Sequence, residues 1–314
     1  MKAQIFATAT LFAVFSGALS AADPRLLNLV MPDATVLAGV NVDQAKATPF
    51  GQFVLTTLLQ QQDQKLQQLA TLTGFDPRRD VHELLLASNG APGTKAGLAL
   101  ALGAFDPAKI AAAAQLAGAG AETYAGVSII EDSEHQNGFA FLDSTLVVAG
   151  DLANVKAAID RRAGGPTIPV ALAAQVNQLG GAEDAWALST VPPATLKPPA
   201  AAAPSAGSAA TVQNALQKIE SASAGVKFGA KIVVTGQAQA ATPQDASQLG
   251  DVVQLFVNMA QLQSAQHPEA AALAQSLVVG TQGNTVKITL SLPEDQIQQL
   301  MKPKAAAARK VVQM

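Results

Sequence analysis

Three histidines, His82, His135 and His267, are the side chains best suited to move protons near neutral pH. A Ser-His-Asp enzyme needs one of them as its base. No Gly-x-Ser-x-Gly elbow accompanies them. His82-Glu83 lacks the second histidine of a zinc-protease helix, and His267 directly precedes Pro268 at an expected helix start. Each reads as an ordinary histidine, and no residue is assigned a catalytic role. The densest polar cluster is Glu131, Asp132, Glu134 and His135. Carboxylates with one imidazole suit a hard or borderline cation. This stretch, however, reads as the tip of a hairpin leading into Asn137-Gly138, where acids are solvated without any ligand. No metal site is assigned.

Phosphate chemistry is no better served. Gly118-Ala119-Gly120 lies between an expected helix and an expected strand, the reverse of the strand-to-helix order of a phosphate cradle. Paired carboxylates leave no sequence signature, because spacing along the chain does not report pairing in space. One Trp and one Tyr, Trp186 and Tyr124, offer few faces on which a sugar ring could stack. No cofactor is expected.

Hydrophobic residues make up 49% of the 314, enough for a sizeable core. Only 4% are aromatic, so that core is built from Ala, Leu, Val and Ile. The formal charge is −3 and no basic stripe is present, which argues against a nucleic-acid partner. The one basic cluster, Lys302, Lys304, Arg309 and Lys310, reads as a solvated tail over 303–314. There is no Cys, which removes disulfides, zinc-thiolate sites and thiol catalysis together.

The start reads as an export signal. Lys2 is followed by an uncharged stretch to Ala22, apolar at Leu11-Phe12-Ala13-Val14-Phe15 and closed by small residues. Cleavage after Ser20 or after Ala22 fits equally, giving a signal peptide over residues 1–22. The apolar run is short of the roughly 20 residues of a spanning helix, and no later stretch supplies one. A chain exported without disulfides points to the bacterial periplasm or envelope.

The elements that must position any site divide into two halves, 23–180 and 181–302. In the first, a strand over 34–42 precedes a helix that Thr48-Pro49 opens and Gly74 stops. Phe75-Asp76-Pro77 and Phe105-Asp106-Pro107 are one device used twice: Asp caps, Pro opens the helix, and Phe precedes the cap. Strands are expected at 84–87, 96–102, 123–131, 138–142 and 145–149. Helices are expected at 107–117, 152–162 and about 169–179. In the second half a strand over 185–190 leads to a flexible Pro/Ala/Ser loop over 191–210. A helix at 212–222, one long strand over 225–238, a helix from Thr242-Pro243, a short helix at Pro268, a hairpin across Gly283-Asn284 and a closing helix follow. Segments 96–162 and 227–301 share an order of elements but little residue identity, an order that duplication or coincidence could produce. The fold expected is α+β: two similar halves, each a mostly antiparallel sheet with helices packed on one face.

Gly74 to Val81, Leu98 to Leu102, Gly138 to Asp151 and Val155 to Asp160 together resemble a broad class of exported bacterial envelope proteins of unknown function. The shared motifs are caps, turns and strands, so the resemblance implies fold and compartment and carries no activity. The function expected is a non-enzymatic structural or binding role in the periplasm or envelope, with an unidentified protein or an apolar ligand as partner. Two alternatives stay open. One is a carrier for an apolar ligand, with helices 48–73 and 244–265 lining a groove. The other is a periplasmic hydrolase of unrecognised type.

Overall fold

The computed structural model of the chain describes residues 22–60, 63–90, 97–132, 136–165, 167–192, 214, 216–262 and 273–301. The expected signal peptide, almost all of the Pro/Ala/Ser loop, the start of the short helix at Pro268 and the basic tail lie outside the described residues. The strands are β1 (Val36–Asn41), β2 (Val81–Ser88), β3 (Gly97–Gly103), β4 (Gly120–Tyr124), β5 (Val127–Asp132), β6 (Asn137–Phe141), β7 (Leu146–Asp151), β8 (Ala185–Ser189), β9 (Ile219–Lys227), β10 (Lys231–Ala240), β11 (Leu277–Gln282) and β12 (Thr285–Pro293). The helices are α1 (Pro24–Leu27), α2 (Val42–Lys46), α3 (Pro49–Gln60), α4 (Asp63–Thr73), α5 (Pro77–Asp80), α6 (Pro107–Leu116), α7 (Leu152–Arg161), α8 (Val170–Ala182), α9 (Pro243–Leu262) and α10 (Glu294–Met301).

Local chemistry explains many of these boundaries. Thr48 Oγ1 accepts from the Gly51 N–H at the start of α3. Asp76, Asp106 and Asp151 each accept a backbone N–H of the helix they precede, satisfying donors a helix start leaves free. The two phenylalanines of the repeated device also meet: the Phe75 and Phe105 rings lie 5.7 Å apart, and Phe105 continues to Phe141 at 5.5 Å. The device therefore starts two helices and ties them together.

Three sequence expectations need correction. The strand expected over 123–131 is split into β4 and β5 by a turn at Ala125-Gly126, both with positive φ (47° and 78°), as a tight two-residue hairpin requires. The single long strand over 225–238 is the hairpin β9–β10, reversing through Phe228-Gly229-Ala230. Ile219 to Ala222 belong to β9 and not to a helix. At both turns an alternating apolar pattern continues through the reversal, so periodicity alone does not show it. The helix expected from residue 48 to 73 is helical at Pro49–Gln60 (α3) and Asp63–Thr73 (α4), and residues 61–62 lie outside the described residues.

The α+β class with an antiparallel sheet is what the structure has. What it adds is that both halves run into one sheet among the described residues, ordered β11-β12-β10-β9-β8-β1-β2-β3-β7-β6-β5-β4. Outward from the central pair, one arm reads β1-β2-β3-β7-β6 and the other β8-β9-β10-β12-β11. The halves thus follow the same order around an antiparallel β1–β8 seam, with β4–β5 added to the first.

Helices pack on both faces of this sheet. On one face α1, α7 and α8 bury the larger core, which includes Leu37, Leu85, Leu100, Val148 and Leu188 from the strands and Leu26, Val155, Ile159 and Val176 from the helices. On the other face α9 covers β10–β12 through Ala246 and Leu249 against Ala238 and Val286. On that same face α6 lies beside β5, where Ile110 and Ile130 are buried.

The seam is built for close approach. Trp186, the only Trp, is 7% exposed and has a glycine opposite it on both neighbouring strands, Gly39 and Gly225. A Cβ on Gly39 would sit 2.5 Å from the indole, and one on Gly225 would overlap the Glu183 side chain. Beside them Asp184, 2% exposed, accepts from Lys227 Nζ and from the Phe228 N–H, each at 2.6 Å. Glu183 accepts from Thr235 Oγ1 at 2.8 Å. Replacing Gly39 with Ala should therefore force the indole or β1 to move and cost about 1–3 kcal/mol. Urea unfolding followed by Trp186 fluorescence measures this; unchanged stability would show that the indole does not depend on the gap above Gly39.

Candidate functional site

Direct register places residues of neighbouring strands on the same face. On the face opposite the larger core, one row crosses the sheet as Phe139, Ala149, Ala99, Leu86, Ala38, Ala187 and Ala224. The next row reads Phe141, Val147, Ala101, Leu84, Val40, Ala185 and Val226. Every residue in both rows is apolar. An antiparallel sheet buried on one side ordinarily turns polar residues outward. Here α6 covers the β5–β6 end of this face and α9 the β10–β12 end, while the middle is only partly covered. Leu86 is 53% exposed and Leu84 36%, and Ala187 and Ala224 are also exposed.

A second group of exposed apolar side chains lies on α9. Ala246, Leu249 and Val257 are buried, whereas Leu255, Phe256, Met259 and Leu262 remain accessible. On α4, Leu72 is 62% exposed. An apolar surface of this kind marks an interaction site when it is contiguous. The two sheet rows are continuous by register; Ala101 within them is buried and most other members are half-buried, so the candidate site is their accessible part at Leu84, Leu86, Ala187 and Ala224.

The chemically capable residues are scattered. His82 sits beside Asp43, with Nδ1 2.9 Å from the carboxylate, and both side chains are exposed. His135, Glu134 and His267 lie outside the described residues. Glu131 and Asp132 end β5. Among the described residues no group of three or more His, Asp or Glu is arranged to hold a metal ion. Asp76 and Asp106 serve as helix caps. Gly118 and Gly120 flank the link from α6 to β4, and Gly118 has a φ of 93°. Tyr124 donates to Asp160 at 2.9 Å, a bond that raises the phenol's pKa, and Lys156 lies 5.6 Å from its ring centre.

One displaced carboxyl was not legible in the sequence. Glu83 accepts from the Asp23 N–H at 3.1 Å, and burial, opposed by that bond, pushes its pKa upward. The bond ties β2 to the chain segment that leads into α1 and caps the larger core with Ala22, Leu26 and Leu27. Only the fold brings residues 23 and 83 together, so no local pattern could announce it.

No protein-family model matches the chain, and no curated protein matches it in sequence. Solved structures are similar in fold. Crystal form III of TP0453 superposes with a TM-score of 0.53 at 8% identity, covering 88% of this chain and 96% of that one. Crystal form IV of TP0453 gives 0.52 at 10% identity, covering 92% and 100%. At such identity the likeness shows the α+β fold alone.

The Glu83 geometry has a pH consequence. A carboxyl whose pKa is raised on folding stabilises the fold while protonated, and that contribution is lost as pH rises through the raised value. In a chain that retains Ala22, Glu83→Gln keeps an acceptor for the Asp23 N–H and removes the charge. The variant should melt higher than the parent at pH 7.5 and no higher at pH 4. Equal shifts at the two pH values would mean that the Glu83 charge carries no net burial cost.

Proposed function

We propose that this is an exported, non-enzymatic binding protein of the bacterial periplasm or envelope, and that its outer sheet face receives an apolar ligand. The observation behind this reading is the pair of apolar rows across β9-β8-β1-β2-β3-β7-β6, incompletely covered at Leu84 and Leu86. A surface of Ala, Val and Leu offers no group for acid, base or nucleophilic work. It offers area. Removing apolar surface from water stabilises a complex by about 25 cal/mol per Å2, or roughly 0.8 kcal/mol per buried CH2. Affinity for a ligand on this face would therefore grow with its aliphatic length and depend little on its polar end. The many alanines suit such an occupant, because their short side chains leave the floor flat and let a chain lie close to the sheet.

Export is supported by the charged start, apolar run and small residues before Asp23. Among the described residues no helix is long and apolar enough to cross a membrane.

The test is native mass spectrometry of the mature protein purified from its own host, paired with a Leu84→Asp/Leu86→Asp variant. Leu86 is 53% and Leu84 36% exposed, so the variant should still fold, which urea unfolding checks. A co-purifying apolar molecule on the parent, absent from the variant, supports the reading. So does binding of 1-anilinonaphthalene-8-sulfonate to the parent that the variant loses. A bare parent mass together with no dye binding would overturn it.

A further inference from the structure

The other face of the sheet changes character at the β8–β9 boundary, and a second site lies there. On β8 this face is core: Leu188 is buried under α8. Opposite Leu188 stands Ser223 on β9, and opposite Ser223 stands Gln237 on β10. The next row pairs Ser221 with Gln239. Above them α8 overhangs the polar strands and turns Gln175 and Gln178 toward the same space. The result is a concavity of about 170 Å3 whose polar lining includes these six residues and whose apolar floor is Leu179 and Leu188.

Two features point to a ligand class. The lining contains no charged side chain, so an ion entering it would lose hydration without a counter-charge. Its polar groups are also free to act. Ser221 donates to Gln239 Oε1 at 3.4 Å, whereas the side chains of Gln175, Gln178, Ser223 and Gln237 make no hydrogen bond to another described residue. Each glutamine presents an amide donor and an amide acceptor side by side, the complement of a peptide group. No aromatic ring lines the space to stack a sugar. The volume is below the roughly 300 Å3 where ligand pockets usually begin, which limits the occupant to one or two residues of extended chain.

We propose that this concavity between α8 and the β9–β10 hairpin binds a short, neutral peptide segment through glutamine-to-peptide amide pairing. The site is separate from the apolar face, being on the opposite side of the sheet. Its reporter is built in: Trp186 lies two residues from Leu188 on the same face of β8.

The experiment uses N-acetyl-trialanine amide as probe, titrated into the mature protein and followed by calorimetry and Trp186 fluorescence. Saturable binding is expected. Gln178→Leu and Gln237→Leu should each weaken it roughly three- to tenfold, the range for one lost neutral hydrogen bond. Gln67→Leu on α4 and the Leu84→Asp/Leu86→Asp variant should leave it unchanged, which separates this site from the apolar face. All four variants alter accessible side chains and are checked by urea unfolding. The proposal is overturned if the probe does not bind at millimolar concentration or if both glutamine variants bind it as the parent does. It is equally overturned if N-acetylglucosamine binds in place of the peptide.

Discussion

The antiparallel pairing of β1 with β8 is the interaction on which the rest of the structure depends. Residues Val36–Val40 and Ala185–Ser189 are far apart in the chain, yet their ladder joins the two arms of the sheet. Without it the chain would hold two smaller sheets, each with an extra unpaired edge. The seam tolerates no bulk on its covered side. Trp186 needs Gly39 opposite it, and the Glu183 side chain needs Gly225. Asp184 adds a buried carboxylate held by Lys227 and the Phe228 N–H. A buried charge with its partners satisfied contributes little net stability, but removing one partner is costly. That asymmetry makes the seam specific as well as strong.

Joining the arms also decides which surfaces stay open. The first half places α1, α7 and α8 on one face and α6 at the far end of the other, which α9 of the second half covers at its opposite end. The central strands are therefore covered well on one side and only partly on the reverse, where the rows through Leu84 and Leu86 lie. The polar face of β9 and β10, next to the α8 overhang, arises from the same offset. Both candidate surfaces are thus products of one arrangement: helices staggered on opposite sides of a continuous sheet.

Dependence on position is clearest in the acids. Asp76, Asp106 and Asp151 do what their local spacing implies and cap helices. Asp80 instead becomes buried, accepting from Arg79 and the Asp76 N–H, and the bond to Arg79 keeps its pKa below the usual carboxylate value. Glu83 moves the opposite way because burial outweighs its one backbone donor. Three kinds of carboxylate within ten residues of sequence, capping, ion-paired and desolvated, owe their differences to what the fold sets against them.

Sequence alone determined the features whose physics is local. Caps at Asp106 and Asp151, the helix opened by Thr242-Pro243, and the hairpin across Gly283-Asn284 depend on a few neighbouring residues and were legible. So was the α+β class, since strand and helix periodicity report it directly. Turns buried inside alternating runs, at Ala125-Gly126 and Phe228-Gly229, were not legible, because strand periodicity is the same before and after a reversal. The candidate face was invisible for a deeper reason. Ala38, Leu86, Ala99 and Ala187 each look like ordinary core residues, and an apolar side chain does not say which side of a sheet will be covered. Only the tertiary structure decided that, through a register joining strands some 150 residues apart and a set of helices that leaves one side partly bare.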